Sequence, residues 1–475
     1  MLTLDRGNIA FAATQMNKDL NLDAASYGLA AGLYFVTYGA LQVPSAAIGA
    51  RVGMRWWLGA ITIAWGLTAM SMAFVQTPGQ LYACRLLLGA FEAGATPCCY
   101  QIMSSYYPYS RLSKPYSSLF LGGQLSSIIS APLAAALLSL GGAHGLAGWR
   151  WLLLIEGIPT VILGFVLLIL LPADPLTCWW LPPDHREALH LAVHGPARAE
   201  EARRRPSMRR MWATMLETLR QPLVWAIMAA AFLWVLCAFS LYAWVPLIVS
   251  NLMNGTAVAA STAMGPSKAN SVKATLLSTV PYAVAALAVV GNAWHSDRTG
   301  ERTIHVAVPW LTGGVVLACF GAVARRSIVG GFVMLTAAMG LAFSGQSVLV
   351  TRAAGIMPPS QAAISMSFMN AVCAGAGGFA GPFAVGAMVG SLKSFEYATL
   401  AMSAFLLASG LIVVGMAVWE RRTGAAGGGG AGGKGAGGAA PPLPARGATM
   451  SMAAAAADGA AARPPARGAA AAAAV

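Results

Sequence analysis

Long apolar runs separated by short polar breaks fill the chain from its start to about residue 419. Each run is roughly 18 to 25 residues, long enough as a helix to cross a hydrocarbon core of about 30 Å. In lipid the backbone must satisfy its own hydrogen bonds, so runs of this length are helices. Barrel strands would be about half as long and would alternate. The pattern predicts a short first helix over about 2–16, then five more over about 25–48, 57–76, 80–103, 116–139 and 150–172. After a polar segment, six further runs follow at about 222–250, 274–295, 304–324, 328–350, 361–390 and 395–419. The expected fold class is an all-α membrane protein of twelve transmembrane helices in two pseudo-symmetric six-helix halves, 1–172 and 221–419. A cytoplasmic central loop, 173–220, joins them, and a disordered tail occupies 420–475.

A short pattern recurs at matching places in the two halves. The first copy is Arg51-Val52-Gly53-Met54-Arg55. The second is Arg298-Thr299-Gly300-Glu301-Arg302, preceded by Ser296-Asp297 and about 247 positions further on. Halves that share a loop signature indicate a duplicated bundle, an architecture found mostly in transporters. Arg51, Gly53, Arg55, Asp297, Arg298, Gly300 and Arg302 are therefore candidate gating-loop residues. The copies differ in one charge, because Ala50 stands where the second copy has Asp297. The first helix is anomalous, since Asp5 and Arg6 have too little chain before them to cross a full bilayer. A truncated first helix is expected, with a stub helix as the alternative.

Composition agrees with a lipid solvent. The chain is 57% hydrophobic and 10% charged, with a mean hydropathy of +0.65, whereas soluble domains carry about a quarter charged residues. The formal charge of +14 does not point to nucleic acid, because the basic residues sit in short loops between spans. Arg51, Arg55, Arg111, Lys114, the Arg203-Arg204-Arg205 and Arg209-Arg210 runs, Arg298, Arg302, Arg352 and Arg421-Arg422 fall on one side. The positive-inside rule then places both termini and the central loop in the cytoplasm; Arg325-Arg326 dissents. The basic stretch around Ser207 reads as a topology determinant, with a kinase site or lipid-binding patch as alternatives. The Gly/Ala/Pro tail has no apolar periodicity to bury. Seven cysteines lie mostly inside spans, with no ligand spacing among them, and read as small packing residues. No cleavable signal sequence precedes the first span, and no metal or cofactor is expected.

Charges inside the spans are few, and each costs about 2.5–3.5 kcal/mol on insertion scales. They are Asp5 and Arg6 in the first span, Arg85 and Glu92 in the fourth, and Glu156 in the sixth. The second half offers only Asn292, His295, Gln346 and Asn370 at comparable depth. Arg85 and Glu92 are two helical turns apart and share a face. Facing a central cavity with Asp5 and Arg6, they make two acids beside two guanidiniums, the parts for proton-coupled anion transport. Arginine binds a carboxylate bidentately. A carboxylate whose Arg partner can be taken by substrate changes its proton affinity when substrate arrives. Simple pairing of Arg85 with Glu92 to hold helices together is the alternative. His295 reads as structural, and Glu156 as a helix-packing contact with a relay role as the alternative. Gly377, Gly378, Gly381 and Pro382 allow close helix approach and a bend.

Several stretches resemble one family. Leu4-Asp5-Arg6-Gly7-Asn8-Ile9 with Gln15-Met16-Asn17-Lys18-Asp19-Leu20 is similar to the opening of the anion:cation symporter family of the major facilitator superfamily, bacterial tartrate- and galactonate-type members above all. Arg85-Leu86-Leu87-Leu88-Gly89 with Glu92-Ala93-Gly94 and Pro97 resembles its fourth helix. Trp149-Arg150-Trp151 with Ile155-Glu156-Gly157-Ile158-Pro159 resembles its sixth. Ser296 to Arg302 matches its second-half loop, and Gly377-Gly378-Phe379-Ala380-Gly381-Pro382 its eleventh helix. The resemblance implies the major facilitator fold and an organic anion as substrate, such as a sugar acid or tartrate, with a proton as its partner. It also implies that Arg6 contacts the substrate carboxylate, that Asp5 and Glu92 carry protons, that Arg85 modulates Glu92, and that Gln124 is a polar substrate contact. Two departures stand out: Ala50 replaces an acid, and Gly375 or Ala376 replaces an asparagine before the eleventh-helix glycines.

The sequence is thus read as a monomeric secondary transporter of a small organic anion, working by proton symport and alternating access. A non-transporting sensor or inactive paralogue that kept the fold is the alternative. An intramembrane enzyme finds no nucleophile elbow, metal cluster or facing carboxylate pair to support it.

Overall fold

The computed structural model describes residues 2–107, 113–194, 219–255, 268–356 and 362–423, with isolated positions between 213 and 217. Arg111, the Lys114 side chain, Ser207 with its neighbouring arginine runs, and the tail after Thr423 lie outside the described residues. So does the side chain of Gln124. Among the described residues the chain is helical and carries no strand. The first half is built from α1 (Leu2–Asp19), α2 (Ala24–Val52), α3 (Met54–Ser71), α4 (Pro78–Glu92), α5 (Ala95–Tyr106), α6 (Ser113–Ser139) and α7 (Gly148–Leu170). A short α8 (Pro183–His194) lies in the polar segment. The second half follows as α9 (Pro222–Met253), α10 (Lys268–Leu277), α11 (Thr279–Thr299), α12 (Thr303–Arg326), α13 (Ile328–Ser344), α14 (Gln346–Ile356), α15 (Ala362–Val372), α16 (Gly378–Leu392) and α17 (Phe395–Thr423).

Several of the sequence's continuous runs are broken in the structure. The run near 80–103 divides at Ala93-Gly94 into α4 and α5, and the run near 328–350 divides at Gly345 into α13 and α14. Cys373–Gly377 forms a π-helical turn between α15 and α16. Such interruptions are tolerated at membrane depth when the irregular backbone is buried in protein. They also extend the internal repeat. Thr77 caps α4 in a capping box with Gln80, and Ser327 caps α13 by accepting from Gly330 N. The cap, the helix and the break recur in order, displaced by about 250 positions. Pro132 in α6 and Pro382 in α16 stand the same distance apart.

The two loop signatures keep glycine for a backbone reason. Gly53 has φ +111° and Gly300 has φ +69°, so each ends a helix in a conformation that side chains with a Cβ avoid. Gly300 N–H closes on Ser296 O at 2.9 Å.

By length and composition, eight described helices can cross a membrane, and six of them make up the second half. Only Met54–Phe74 and Gly148–Leu170 qualify in the first. Helices α1 and α4, which carry Asp5, Arg6, Arg85 and Glu92, are less apolar than these two, whereas Glu156 lies on the strongly apolar α7.

The halves meet along α2 against α16 and along α6 against α10 and α11, and α1 also packs on α9 between them. The first rests on bare backbone. A Cβ added at Gly28 would meet Gly386 Cα at 2.9 Å, one at Gly32 would meet Phe379 O at 2.8 Å, and one at Gly39 would meet Ala371 O at 2.7 Å. Helices in lipid gain by such close approach. Tyr27 Oη donates to Ala243 O at 2.7 Å across the same boundary. At this end Asp23 caps α2, accepting from Ser26 N at 2.7 Å. Those bonds hold its carboxyl below the usual range, with help from Lys393 across the seam. A side-chain Cβ at Gly390 would stand 3.6 Å from Ala25 Cβ, which is disulfide geometry. In a cysteine-free background, Ala25→Cys with Gly390→Cys is expected to oxidise readily to a crosslink that reductant reverses, read as a mobility shift on a non-reducing gel after cleavage between the two sites. Failure to crosslink would mean that these helix ends do not meet.

Candidate functional site

Arg6 is the centre of the site. Its Nε–H is shared between Glu92 Oε1 and Tyr34 Oη, each at 2.7 Å. The guanidinium carbon lies 4.4 Å from the Tyr38 ring centroid and 5.4 Å from that of Tyr34. Glu92 is fully buried, whereas the Arg6 side chain is 23% exposed into the cavity beside it. Glu92 closes α4, and its second oxygen, Oε2, is buried without a hydrogen-bond partner.

Arg85, two turns before Glu92 on α4, bonds differently. Its Nε donates to Ala30 O at 3.0 Å and its Nη2 to Ala31 O at 3.3 Å. Its guanidinium carbon is 5.0 Å from the Tyr34 centroid, so one ring touches both cations. Arg85 Nη1 is buried and unpartnered, and the residue lines the cavity with Arg6. The ion pair of Glu92 is thus made with Arg6 on another helix, while Arg85 reaches the backbone of α2.

Asp5, one residue before Arg6, points the other way around α1. Its Oδ2 accepts from Trp65 Nε1 at 2.9 Å and from Thr160 Oγ1 at 3.2 Å. Glu156 stands close enough to feel Asp5 and Asn8, is 5% exposed, and has both oxygens buried without a partner. Two buried carboxyls so placed repel each other when both are charged. Next to it, Gly157 lets α7 approach α3 closely, its missing Cβ leaving room for Met70 and the Gly66 carbonyl.

The cavity between the halves holds about 600 Å³. Arg6, Arg85, Tyr38 and Tyr100 line it from the first half; Gln346 and Asn370 line it from the second. The other two deep polar residues of the second half serve as struts: Asn292 donates to His305 O at 2.7 Å and Ser344 O at 3.0 Å, and His295 bonds His305 at 2.6 Å. Gln124 sits on α6.

The loop residues are spread along one end. Arg55 donates to Leu168 O at 2.6 Å and Ile169 O at 3.0 Å, tying α3 to the end of α7. Arg51 is exposed at the end of α2. In the second copy Asp297 pairs with Arg302 at 3.8 Å, and Arg298 stacks over Trp294 at 4.6 Å.

Sequence reasoning passed over the aromatic partners. Tyr27, Tyr34 and Tyr38 recur at seven- and four-residue spacing, a stripe along one face of α2. A stripe of that kind ordinarily marks core, and these rings are indeed buried. The missing signal was polarity: phenols facing a helix that carries Arg6 can accept hydrogen bonds as well as pack.

The sequence signature of the Major Facilitator Superfamily matches residues 1–382. The chain belongs to that family, and it is an integral membrane protein of the transporter class, not an enzyme. It is 30% identical over 421 residues to a "Putative tartrate transporter" of Agrobacterium vitis, covering 87% of this chain and 86% of that one. It is 32% identical over 324 residues to the "Putative metabolite transport protein NicT" of Pseudomonas putida, covering 66% and 67%. Among solved structures, an inward-facing, unoccupied bacterial homologue of the human lysosomal transporter Spinster superposes with a TM-score of 0.65 at 17% identity, over 88% and 92% of the two chains. That likeness shows the shared fold.

Removing the indole donor from Asp5 leaves a buried carboxyl short of a bond, at a cost of about 1–3 kcal/mol. Trp65→Phe is expected to lower the unfolding temperature of the protein in nanodiscs, whereas Trp180→Phe at an exposed site should not. Equal melting of the two variants would contradict the role given to this bond.

Proposed function

We propose that this protein is a secondary active transporter of a small organic anion, a carboxylate such as tartrate or a sugar acid, and that it works by proton symport. The observation that carries the reading is the Arg6–Glu92 pair at the cavity wall: Arg6 reaches into the cavity while its counter-ion is wholly buried behind it. The relatives named as tartrate transporters support the same class.

The coupling follows from competition for one guanidinium. An entering carboxylate takes Arg6, since guanidinium–carboxylate pairing is strong and bidentate in a low dielectric. Glu92 then loses its counter-ion in a site where an isolated charge is costly, and Oε2, the oxygen without a partner, takes up a proton. Substrate and proton load together, and leaving substrate returns Arg6 to Glu92 and expels the proton. Arg85 adds a second positive charge at the wall and modulates Glu92 through Tyr34. Asp5, with Glu156 beside it, is the other proton-carrying site. Moving a singly charged anion inward against a 100 mV negative-inside potential costs about 2.3 kcal/mol, which co-transported protons offset.

Alternating access comes from rocking the two six-helix halves, 1–172 and 221–419. With both termini in the cytoplasm, the orientation the distribution of basic residues favours, the α2–α16 seam closes the opposite side and the cavity faces inward. The two loop signatures then form the cytoplasmic gate, where Arg55 on the α7 carbonyls and Asp297–Arg302 exchange partners as the halves close.

Uptake of labelled L-tartrate, D-galactonate and benzoate into proteoliposomes, corrected with empty vesicles, tests this. Glu92→Gln is expected to abolish pH-driven uptake and to spare counterflow exchange, and Arg6→Ala to abolish both. Unchanged pH-driven uptake in Glu92→Gln would remove Glu92 from the coupling.

A further inference from the structure

The exposed tryptophans of this bundle share one end. Among the described residues they are Trp56, Trp179, Trp180, Trp225, Trp294 and Trp419. Each stands where a helix begins or ends on the side of the two loop signatures: the starts of α3 and α9, the ends of α11 and α17, and just past the end of α7. Tryptophans at the other end and at mid-helix, such as Trp149 and Trp244, are buried.

Two of the exposed indoles carry an arginine. The guanidinium carbon of Arg298 lies 4.6 Å from the Trp294 ring centroid, and that of Arg55 lies 5.4 Å from the Trp56 centroid. Each loop signature therefore has one such pair, built from different positions. Trp56 follows the glycine of its copy, and Trp294 precedes the glycine of the other. The pairs are out of register, so neither is a relic of the duplication. Among the described residues no carboxylate pairs with either guanidinium, and Asp297, next to Arg298, pairs with Arg302. At the end of α7, Arg55 and Trp179 take successive carbonyls: Arg55 bonds Leu168 O and Ile169 O, and Trp179 Nε1 bonds Leu170 O at 3.5 Å. Trp179 and its neighbour Trp180 thus join the corner that holds the first pair.

The helices that lead to these pairs show what covers them. On α11, Val280, Val284, Leu287 and Trp294 are exposed at steps of four, three and seven residues, which is one face. Arg298 continues that face one turn on, about 6 Å beyond the indole. The helix is apolar enough to cross a membrane, so this stripe meets acyl chains. On α3, Leu67 and Trp56 are likewise exposed on one face, with Arg55 just past them. Apolar side chains, then an indole, then a guanidinium follow the order of a leaflet: acyl chains, glycerol interface, phosphate. A guanidinium pairs with phosphate oxygens bidentately, and stacking on an indole holds it in place. A headgroup with no ammonium of its own leaves its phosphate free to accept that pairing.

We propose that the Arg55–Trp56 and Arg298–Trp294 pairs are two binding sites, one on each half, for an anionic phospholipid. The phosphate sits on the guanidinium and the glycerol region lies against the indole. Neither pair lines the central cavity, so the sites take lipid whichever solute is carried.

Native mass spectrometry of the full-length protein, titrated with palmitoyl-oleoyl phosphatidylglycerol or the matching phosphatidylcholine, tests the inference. The first two phosphatidylglycerol molecules are expected to bind at least about threefold more tightly than phosphatidylcholine. Arg298→Gln and Trp56→Leu should each remove one of the two tight phosphatidylglycerol steps. Arg326→Gln, exposed at the opposite end of α12, should remove neither. Equal affinity for the two lipids, an unaltered titration in Arg298→Gln or in Trp56→Leu, or an equal loss in Arg326→Gln would overturn the assignment.

Discussion

A permanently charged guanidinium close to the middle of a helical bundle in lipid must be held by groups on other helices, and Arg6 sets the terms for the rest of this structure. Left alone it costs at least about 2.5–3.5 kcal/mol. Glu92 supplies the counter-charge, Tyr34 accepts from the same Nε–H, and Tyr38 lies beneath the guanidinium. Those partners come from α2 and α4, so three helices must converge with their rotations fixed. The convergence in turn needs room: Gly89 approaches the Tyr34 carbonyl so closely that any Cβ there would collide with it. A pair this buried contributes more to arrangement than to net stability, because desolvation offsets much of its Coulombic gain. That balance suits the exchange of partners proposed for Arg6 and Glu92.

The two halves divide the labour. The first carries Asp5, Arg6, Arg85, Glu92 and Glu156; among the described residues, two of its helices, Met54–Phe74 and Gly148–Leu170, are long and apolar enough to span. The second is an apolar scaffold, with Trp234 stacked on Trp310 and both indoles bonded to the Ala342 carbonyl. Glycine seams let these unlike halves meet through backbone, a contact that can open and re-form without repacking large side chains.

Much of the architecture was legible in the chain. Apolar run lengths located the helices because lipid leaves the backbone no alternative to internal hydrogen bonding. The paired loop signatures marked the repeat because each helix end needs a glycine with positive φ, met by Gly53 and Gly300. The breaks at Gly94 and Gly345 were not legible, since an apolar run reads the same whether or not its backbone is interrupted. The site was half legible. Asp5, Arg6, Arg85 and Glu92 stood out by cost alone, but the two-turn spacing of Arg85 and Glu92 suggested a common environment, and their partners proved different. Tyr34 and Tyr38 were hidden by their resemblance to an ordinary core stripe.

The sequence by itself determined that this protein is a bundle of membrane helices, duplicated, with a small set of charges that had to face inward, because those conclusions follow from local chemistry in a fixed solvent. It also limited the partners available to each charge. Which partner each one took was decided only when the helices packed. The Arg6–Glu92 bond and the turn of Asp5 toward Trp65 and Thr160 both depend on the relative rotation and depth of separate helices. Those quantities are set by close packing between segments far apart in the chain, and no spacing within one helix encodes them.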